Sequence, residues 1–287
     1  MAELDGAGSD LDRWLVPFLA VLGHKKRRTW APLYLRGLMG PSERKSLQPM
    51  AARLGLSGHD RLQHFIASPA WDDGPLWRVL AKRADRLLGG SEAVLVIDDT
   101  ALPKKGALSV GVARQYCGAL GKRANCQALV SLTLAQGEVP IPVGLRLFLP
   151  QEWTSDPVRC VRAGVPAAEV QARAKGEIAL AEIDRVLAAG LRFGLVLADA
   201  GYGASAAFRH GLDERQLPWA EQPKVPAAQL LEWLRRGWAS RVSRRSTPPR
   251  SGCVGRGRTR GDRARRPCRM RSPGLPKRCW PRRSGAG

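Results

Sequence analysis

The stretch AVLVIDDTALPKKGALSVG, residues 93–111, runs five apolar residues straight into two aspartates, and the next charges are Lys104 and Lys105. A second apolar run, FGLVLADAGYG, ends in Asp199, a hundred residues beyond Asp99. Short runs of this kind, rich in β-branched residues, belong to buried strands, so each carboxylate is expected at the C-terminal end of one. If the two strands are neighbours, Asp98 or Asp99 can meet Asp199. Close carboxylates repel unless a cation holds them together. Hard oxygen ligands suit Mg2+ or Mn2+. Two such ions about 4 Å apart can activate a water or a 3′-hydroxyl and stabilise the leaving oxygen in phosphodiester chemistry. Lys104 and Lys105 would then meet backbone phosphates. A plainer use stands beside this one, because an Asp at a strand end often caps the turn or helix that follows.

The elements around these residues divide the chain. Residues 1–90 read as helical. Ser9 opens a capping-box-like SDLD, with Leu11, Leu15, Phe18 and Leu22 at helical spacing behind it. Leu47, Met50 and Leu54 share a face, a GLSG turn follows, and Asp60 is placed to cap a second short helix with Leu62, Phe65 and Ile66. Helix, glycine-containing turn and helix is the helix-turn-helix layout, although any small bundle contains such corners. A last helix starts near Pro75 and ends at Gly89 and Gly90.

From residue 92 the period shortens. After the strand into Asp98, QALVSLTLA and VPIPVGLRLFLP flank a QGE turn and read as a hairpin. Ile141, Val143, Leu145, Leu147 and Leu149 alternate along its second arm, and Pro140 and Pro142 make that arm an edge strand. A helix over roughly 167–189 carries Val170, Ala174, Ile178, Ala181, Val186 and Leu187. The strand into Asp199 and a further helix complete the set. Three strands, a helix, a strand and a helix is the order of the ribonuclease-H-like fold, giving an α/β chain with a helical N-terminal domain and a mixed-sheet core.

The net charge of +22 is concentrated. Residues 237–287 hold sixteen Lys and Arg against one acid, Asp262, which leaves about +7 for the remainder. A field of this sign points to a polyanionic partner. Residues 236–287 have neither a helical nor a strand period and are too poor in apolar residues to fold alone. The six cysteines form no CxxC pair and the four His no HxxxH, and GxSxG is absent. A zinc site and a nucleophilic serine are thus disfavoured. The apolar run WLVPFLAVLG contains Pro17 and is followed by HKKRR, unlike a secretory leader, and nothing approaches a membrane span. The expectation is a cytoplasmic, nucleoid-associated protein with reduced thiols.

The ordered set VLVIDDTALPKKGALSVGVARQYCGALGKRANCQALVSL, LRLFLPQEWTSDPVRCVRAGVP and VLADAGYG resembles the transposases of insertion sequence seven-oh-one and its relatives. These are DDE-type enzymes allied to the insertion-sequence-four group. The N-terminal YLRGLMGPSERKSLQPMAARLG and DRLQHFIASPAWD fit the same family, so the likeness spans roughly residues 12–225. It implies that Asp99, directly before Thr100, is the first catalytic carboxylate and Asp199 the second. Asp98 becomes a neighbour that supports the turn, with ligation still open. It implies two Mg2+ or Mn2+ ions, and DNA as partner in the form of terminal repeats and target. It also implies work as a homo-oligomer on DNA. Lys104, Lys105, Arg114, Lys122 and Arg123 would lie near the bound DNA.

The chain departs from that family in one respect. The third carboxylate of such enzymes is a Glu in a HYEGR-like helix downstream of the second Asp, and no such motif follows here. Glu214, Glu221 and Glu232 come too soon after Asp199 and in a different context. The expected organisation is a helical DNA-binding domain over 1–90 and a ribonuclease-H-like core over 91–235 that lacks its C-terminal part. Residues 236–287 then form a basic tail, read either as out-of-frame sequence or as a genuine segment that binds phosphates. Two functions follow: a transposase whose copy here is catalytically defective, or a non-enzymatic binder of terminal repeats that competes with an intact enzyme. A standalone nuclease would need another core carboxylate.

Overall fold

The structure, a computed structural model, describes residues 2–41, 45–67 and 72–221. The basic segment 236–287 and Glu232 lie outside these residues. Five helices come first: α1 (Ala2–Val21), α2 (Lys25–Met39), α3 (Leu47–Arg53), α4 (Asp60–Ala67) and α5 (Gly74–Leu88). Leu15, Phe18 and Leu22 are buried as their spacing requires. Ser9, however, lies inside α1 rather than capping it, because the Ala, Glu and Leu before it are good helix formers. Asp60 likewise is the first helical residue of α4, not its cap, and Ile66 faces solvent. Met50, Ala51 and Leu62 form a small core with Trp30, Tyr34 and Leu38 of α2. Gly37 permits that approach, since a Cβ there would sit 2.2 Å from Met50 Cγ. The α5 helix ends as expected at Gly89, whose N–H donates to the Asp85 carbonyl.

A mixed six-stranded sheet follows. Its strands are β1 (Val94–Pro103), β2 (Ala113–Cys117), β3 (Lys122–Gln136), β4 (Val139–Leu147), β5 (Leu195–Ala198) and β6 (Trp219–Glu221). They run in the order β2-β3-β1-β5-β6, with β4 also paired to β3. β1 is antiparallel to β3 and parallel to β5, and β5 is parallel to β6. The short strands β2 and β6 add to those expected. Between β4 and β5 lie α6 (Gln151–Thr154), α7 (Pro157–Arg162) and α8 (Lys175–Ala188), and after β5 come α9 (Ala200–Gly203) and α10 (Ala206–Glu214). The arrangement is the mixed α/β sheet of a ribonuclease-H-like core behind N-terminal helices.

One face of the sheet, with Leu95, Ile97, Val130, Leu132 and Leu134, packs against Ile178, Ile183 and Val186 of α8 and Phe208 and Leu212 of α10. The opposite face buries Val94, Leu195 and Leu197. Two expected patterns are corrected here. Among the described residues β4 pairs only with β3, in keeping with its prolines, but a register shift beside Leu132 and Thr133 breaks the alternation. Val143 and Gly144 are both buried, while Leu145 is exposed and Arg146 turns towards α8. The helix expected over 167–189 is instead a 3-10 turn at Ala167–Glu169, an irregular link, and α8 from Lys175. No Ser, Thr, Asp or Asn marks its start; Glu177 reaches back to the Ala174 N–H at 2.7 Å. Ala181 and Leu187 are therefore exposed, and the buried stripe includes Glu182.

Glu182 is 6% exposed and accepts from Arg146 Nε at 2.6 Å and Arg185 Nε at 2.8 Å. Arg146 also faces Asp73, one residue before α5, at 3.5 Å, and the Arg185 guanidinium lies over the Trp77 ring of α5. Further along, Asp85 of α5 accepts from the Arg192 N–H at 2.9 Å and from its side chain, just before β5. The helical segment is thus ionically tied to the sheet at two places.

Two outcomes are expected. A Cβ at Gly194 would fall 1.9 Å from the Ser91 carbonyl oxygen, whereas one at Gly23 meets nothing within 4 Å. Gly194→Ala should cost about 1–3 kcal/mol in urea unfolding and Gly23→Ala should not destabilise. Partial burial raises the Asp85 carboxyl, but the hydrogen bonds and charge of Arg192 bring it below its ordinary range. Its contribution is present above that range and lost as pH falls through the depressed folded value. The Tm deficit of Asp85→Asn should be full at about pH 7 and close as the pH falls below the ordinary carboxylate range.

Candidate active site

β1 does not end at the aspartates. It is paired to β5 only over Val94–Ile97, ending with Ile97 opposite Ala198, and then continues alone beside β3 to Pro103. Asp98 and Asp99 therefore sit mid-strand, at the point where β5 stops and Asp199 begins the turn into α9. The expectation of a strand end holds for Asp199 and not for the doublet, because the long partner β3 keeps β1 extended. The two segments are neighbours in register, as the chemistry requires.

Successive strand residues face opposite sides. Leu95 and Ile97 belong to the α8 face, and Asp99 follows them. Its Oδ1 accepts from the Tyr202 hydroxyl at 2.8 Å, and its Oδ2 forms an ion pair with Lys175, in the first turn of α8. Lys175 Nζ also lies 5.3 Å from the centre of the Phe148 ring. Val94 and Val96 mark the other face, and Asp98 follows them. Its Oδ1 accepts from the Asp99 N–H at 2.7 Å. Burial pushes the Asp98 carboxyl above its usual range, the Asp99 N–H lowers it, and the charges of Asp199 and Asp99 raise it again. Asp199 caps α9 by accepting from the Tyr202 N–H at 3.0 Å, so the plainer role of a cap is filled as well. Tyr202 joins Asp99 to Asp199. Burial first, then the charge and hydrogen bond of Asp99, then Asp199 and Asp98, lift its hydroxyl far above the ordinary phenol value. It stays a donor.

An all-carboxylate donor set is the chemistry of a hard divalent cation, and the mutual repulsion that raises Asp98 is what such a cation relieves. Among the described residues, no three His, Cys, Asp or Glu side chains converge closely enough to hold a metal ion. The positive charge at Asp99 is carried by Lys175. Sequence reasoning does not single out Lys175 or Tyr202. Tyr202 lies in the quoted ADAGYG, but nothing in the pattern around Lys175 marks it.

The other acids are placed as follows. Glu182 is buried and neutralised by two arginines. Glu214 faces His210 on α10 at 3.2 Å. Glu221 ends β6 opposite Ala198, at the same edge as Asp199, and its Cγ lies 3.1 Å from where a Gly203 Cβ would be. In the sequence alone, its closeness to Asp199 and its context set Glu221 aside.

The five basic residues gather at the far end of the sheet. Lys104 follows β1, Arg114 pairs in register with Asn125, and Lys122 and Arg123 open β3 opposite Cys117 and Tyr116. Arg114, Lys122, Arg123 and Lys105 are exposed. Five residues of strand separate Asp99 from Lys104, roughly 17 Å at 3.3–3.4 Å per residue. The loop that carries the lysines is built rigidly. Asn125 Nδ2 donates to the carbonyls of Lys104 and Gly106, and Gln127 donates to Val110. Buried Trp153 donates to Val112 at 2.8 Å, and Arg159 lies 3.9 Å over its ring while donating to Ala107. Asn125 and Gln127 stand in GKRANCQ, and Trp153 in QEWTSDP. These motif residues act by holding the basic loop.

Among the described residues no helix is long and apolar enough to cross a membrane, and Cys117, Cys126 and Cys160 are buried free thiols. A model of the DDE superfamily endonucleases matches residues 17–273, well into the basic segment. Over 182 residues the chain is 32% identical to a protein of Microchaete diplosiphon described as a probable transposase for insertion sequence element IS701. That alignment covers 63% of this chain and 45% of the relative, so the chain spans less than half of that protein's length. With two aspartate segments brought side by side on a ribonuclease-H-like sheet and a family match over most of its length, the chain belongs to the DDE superfamily of endonucleases, related to the insertion-sequence transposases.

Proposed function

We propose that this chain derives from a DNA transposase of an insertion sequence, with Asp99 and Asp199 as its catalytic carboxylates. The observation that carries this is the in-register parallel pairing of β1 and β5, which brings Asp98 and Asp99 beside Asp199, with Tyr202 bonded to Asp99 and to Asp199. Mg2+ or Mn2+ held by Asp99 and Asp199, with Asp98 within reach, would supply Lewis-acid activation in cutting the element's ends and joining a 3′-hydroxyl to target DNA. Tyr202 fixes the Asp99 carboxylate by its hydroxyl and the Asp199 carboxylate by its N–H. Lys175 neutralises Asp99, the exposed arginines and lysines at the sheet end take the DNA backbone, and residues 1–90 recognise terminal repeats. In this reading the core spans 91–235, and residues 236–287 add charge that binds phosphates without sequence preference. The working form is a homo-oligomer on paired ends.

The second reading, a catalytically defective chain that still binds terminal repeats and competes with an intact enzyme, draws on the third carboxylate. The sequence has no Glu after Glu232, and the buried Glu182 is committed to Arg146 and Arg185. The two readings part on one assay. The full chain, given Mn2+ and duplexes bearing the repeats that flank its gene, should bind them above scrambled duplexes at matched salt and leave them uncut. Cleavage abolished by Asp99→Ala would overturn the defect and restore the enzyme. Equal binding to scrambled duplexes would remove repeat recognition.

Lys175 and a divalent ion compete for one carboxylate. Lys175→Met should therefore raise the Mn2+ affinity of the full chain severalfold, followed by electron paramagnetic resonance, and Asp99→Asn in that background should cancel the gain. Unchanged Mn2+ affinity in Lys175→Met would detach Asp99 from metal binding.

A further inference from the structure

A cleft of about 900 Å3 lies between the first turn of α2 and the outer face of α4, half open to solvent. Lys25, Lys26, Arg61 and His64 line it, over a floor that includes Trp30 and Phe65. Among the described residues no Asp or Glu lines it. The floor is fixed: Phe65 is buried against Tyr34, with ring centres 5.8 Å apart, and Trp30 packs on the Met50 and Leu62 core. Arg61 lies 6.0 Å over the Trp30 ring.

The cations here differ from the arginines that tie the fold together. Arg36, Arg146, Arg185, Arg192 and Arg215 each pair with a carboxylate of the chain itself. Lys25 and Lys26 make no ion pair and no side-chain hydrogen bond among the described residues, and Arg61 has only the indole face. Arg28, next in the same run, is turned away and donates to the Leu22 carbonyl at 2.8 Å. The cleft therefore has a rigid base, and Lys25, Lys26 and Arg61 on its wall meet no carboxylate among the described residues. Its volume exceeds what one small anion fills, and its two walls are the start of α2 and the exposed side of the second helix of the α3–α4 corner.

We propose that this cleft clamps the phosphodiester backbone of duplex DNA and thereby positions α4 against the groove. The proposal rests on the reading of residues 1–90 as DNA-binding and names the surface that does it. Interactions with phosphates fix register and orientation and carry no sequence information. They also release counterions, so the slope of log affinity against log salt falls by about 0.9 for each phosphate that is no longer neutralised.

The test uses the full chain and a mixed-sequence duplex a few helical turns long. Salt titrations compare wild type, Lys25→Ala/Lys26→Ala/Arg61→Ala, and Lys104→Ala/Lys105→Ala/Lys122→Ala/Arg123→Ala. The cleft variant should lose about 2–3 from the slope, independently of the loss in the sheet-end variant. Lysine acetylation of the unaltered protein provides a second readout that needs no variant. DNA should slow acetylation of Lys25 and Lys26 severalfold relative to exposed Lys82 on α5. A cleft variant with the wild-type slope, or Lys25 and Lys26 acetylated as fast with DNA as without, overturns the clamp alone. A wild-type affinity with no salt dependence overturns both the clamp and the DNA-binding reading beneath it.

Discussion

The parallel pairing of β1 with β5 over four residues is the constraint on which the rest depends. Parallel neighbours cannot be joined by a tight turn and need a long crossover. The chain between them supplies β2, β3, β4 and α8, which build one wing of the sheet and the helix that covers it. Because β5 stops at Ala198 while β1 runs on beside β3, the sheet opens into a notch just where Asp98, Asp99 and Asp199 stand. Open α/β sheets place their ligand sites beyond the carboxyl ends of strands for the same reason: a side chain there is held by buried backbone yet reaches solvent.

Charge is managed differently in different parts of the molecule. On the α8 face, Glu182 is held between Arg146 and Arg185, and Asp73 and Trp77 bring α5 into the same network. Removing one partner of such a buried group exposes the other to an uncompensated environment, so this region has no freedom to change function. At the notch the balance is unequal: three carboxylates stand close in sequence or register, and only Asp99 is paired with a lysine and a hydroxyl. At the sheet end and at the α2–α4 cleft the imbalance is reversed, with cations in excess. The protein is thus neutralised where it must hold shape and left charged where a partner can bind.

Much of this is legible in the sequence because it rests on local patterns. The β1 and β5 runs, the β3–β4 hairpin, the edge character given by Pro140 and Pro142, and the glycine stop of α5 all follow from residue type and spacing. What escapes such reading depends on partners distant in the chain. The β4 bulge is a matter of register with β3, and it exchanges Leu145 for Arg146 on the α8 side. Glu182 breaks an apolar stripe and is satisfied by Arg146 from β4 together with Arg185 one turn along α8. Lys175 reaches Asp99 across 76 residues, and Glu221 reaches the same edge through β6 pairing. Trp153, Asn125 and Gln127 stand inside motifs that carry the family likeness, and only their hydrogen bonds disclose that they hold a loop.

The doublet of Asp98 and Asp99 has one more consequence. A strand presents alternate residues to its two faces, so a slip of β1 by one position would turn every side chain over. Over Val94–Ile97 both faces are apolar, so the residues there resist such a slip only through packing. At the notch, a slip that carries Asp98 to the place of Asp99 would leave a carboxylate facing Lys175 and Tyr202, whereas the opposite slip would bring Thr100 there. Two identical residues in succession therefore make this position tolerant of a register error in one direction.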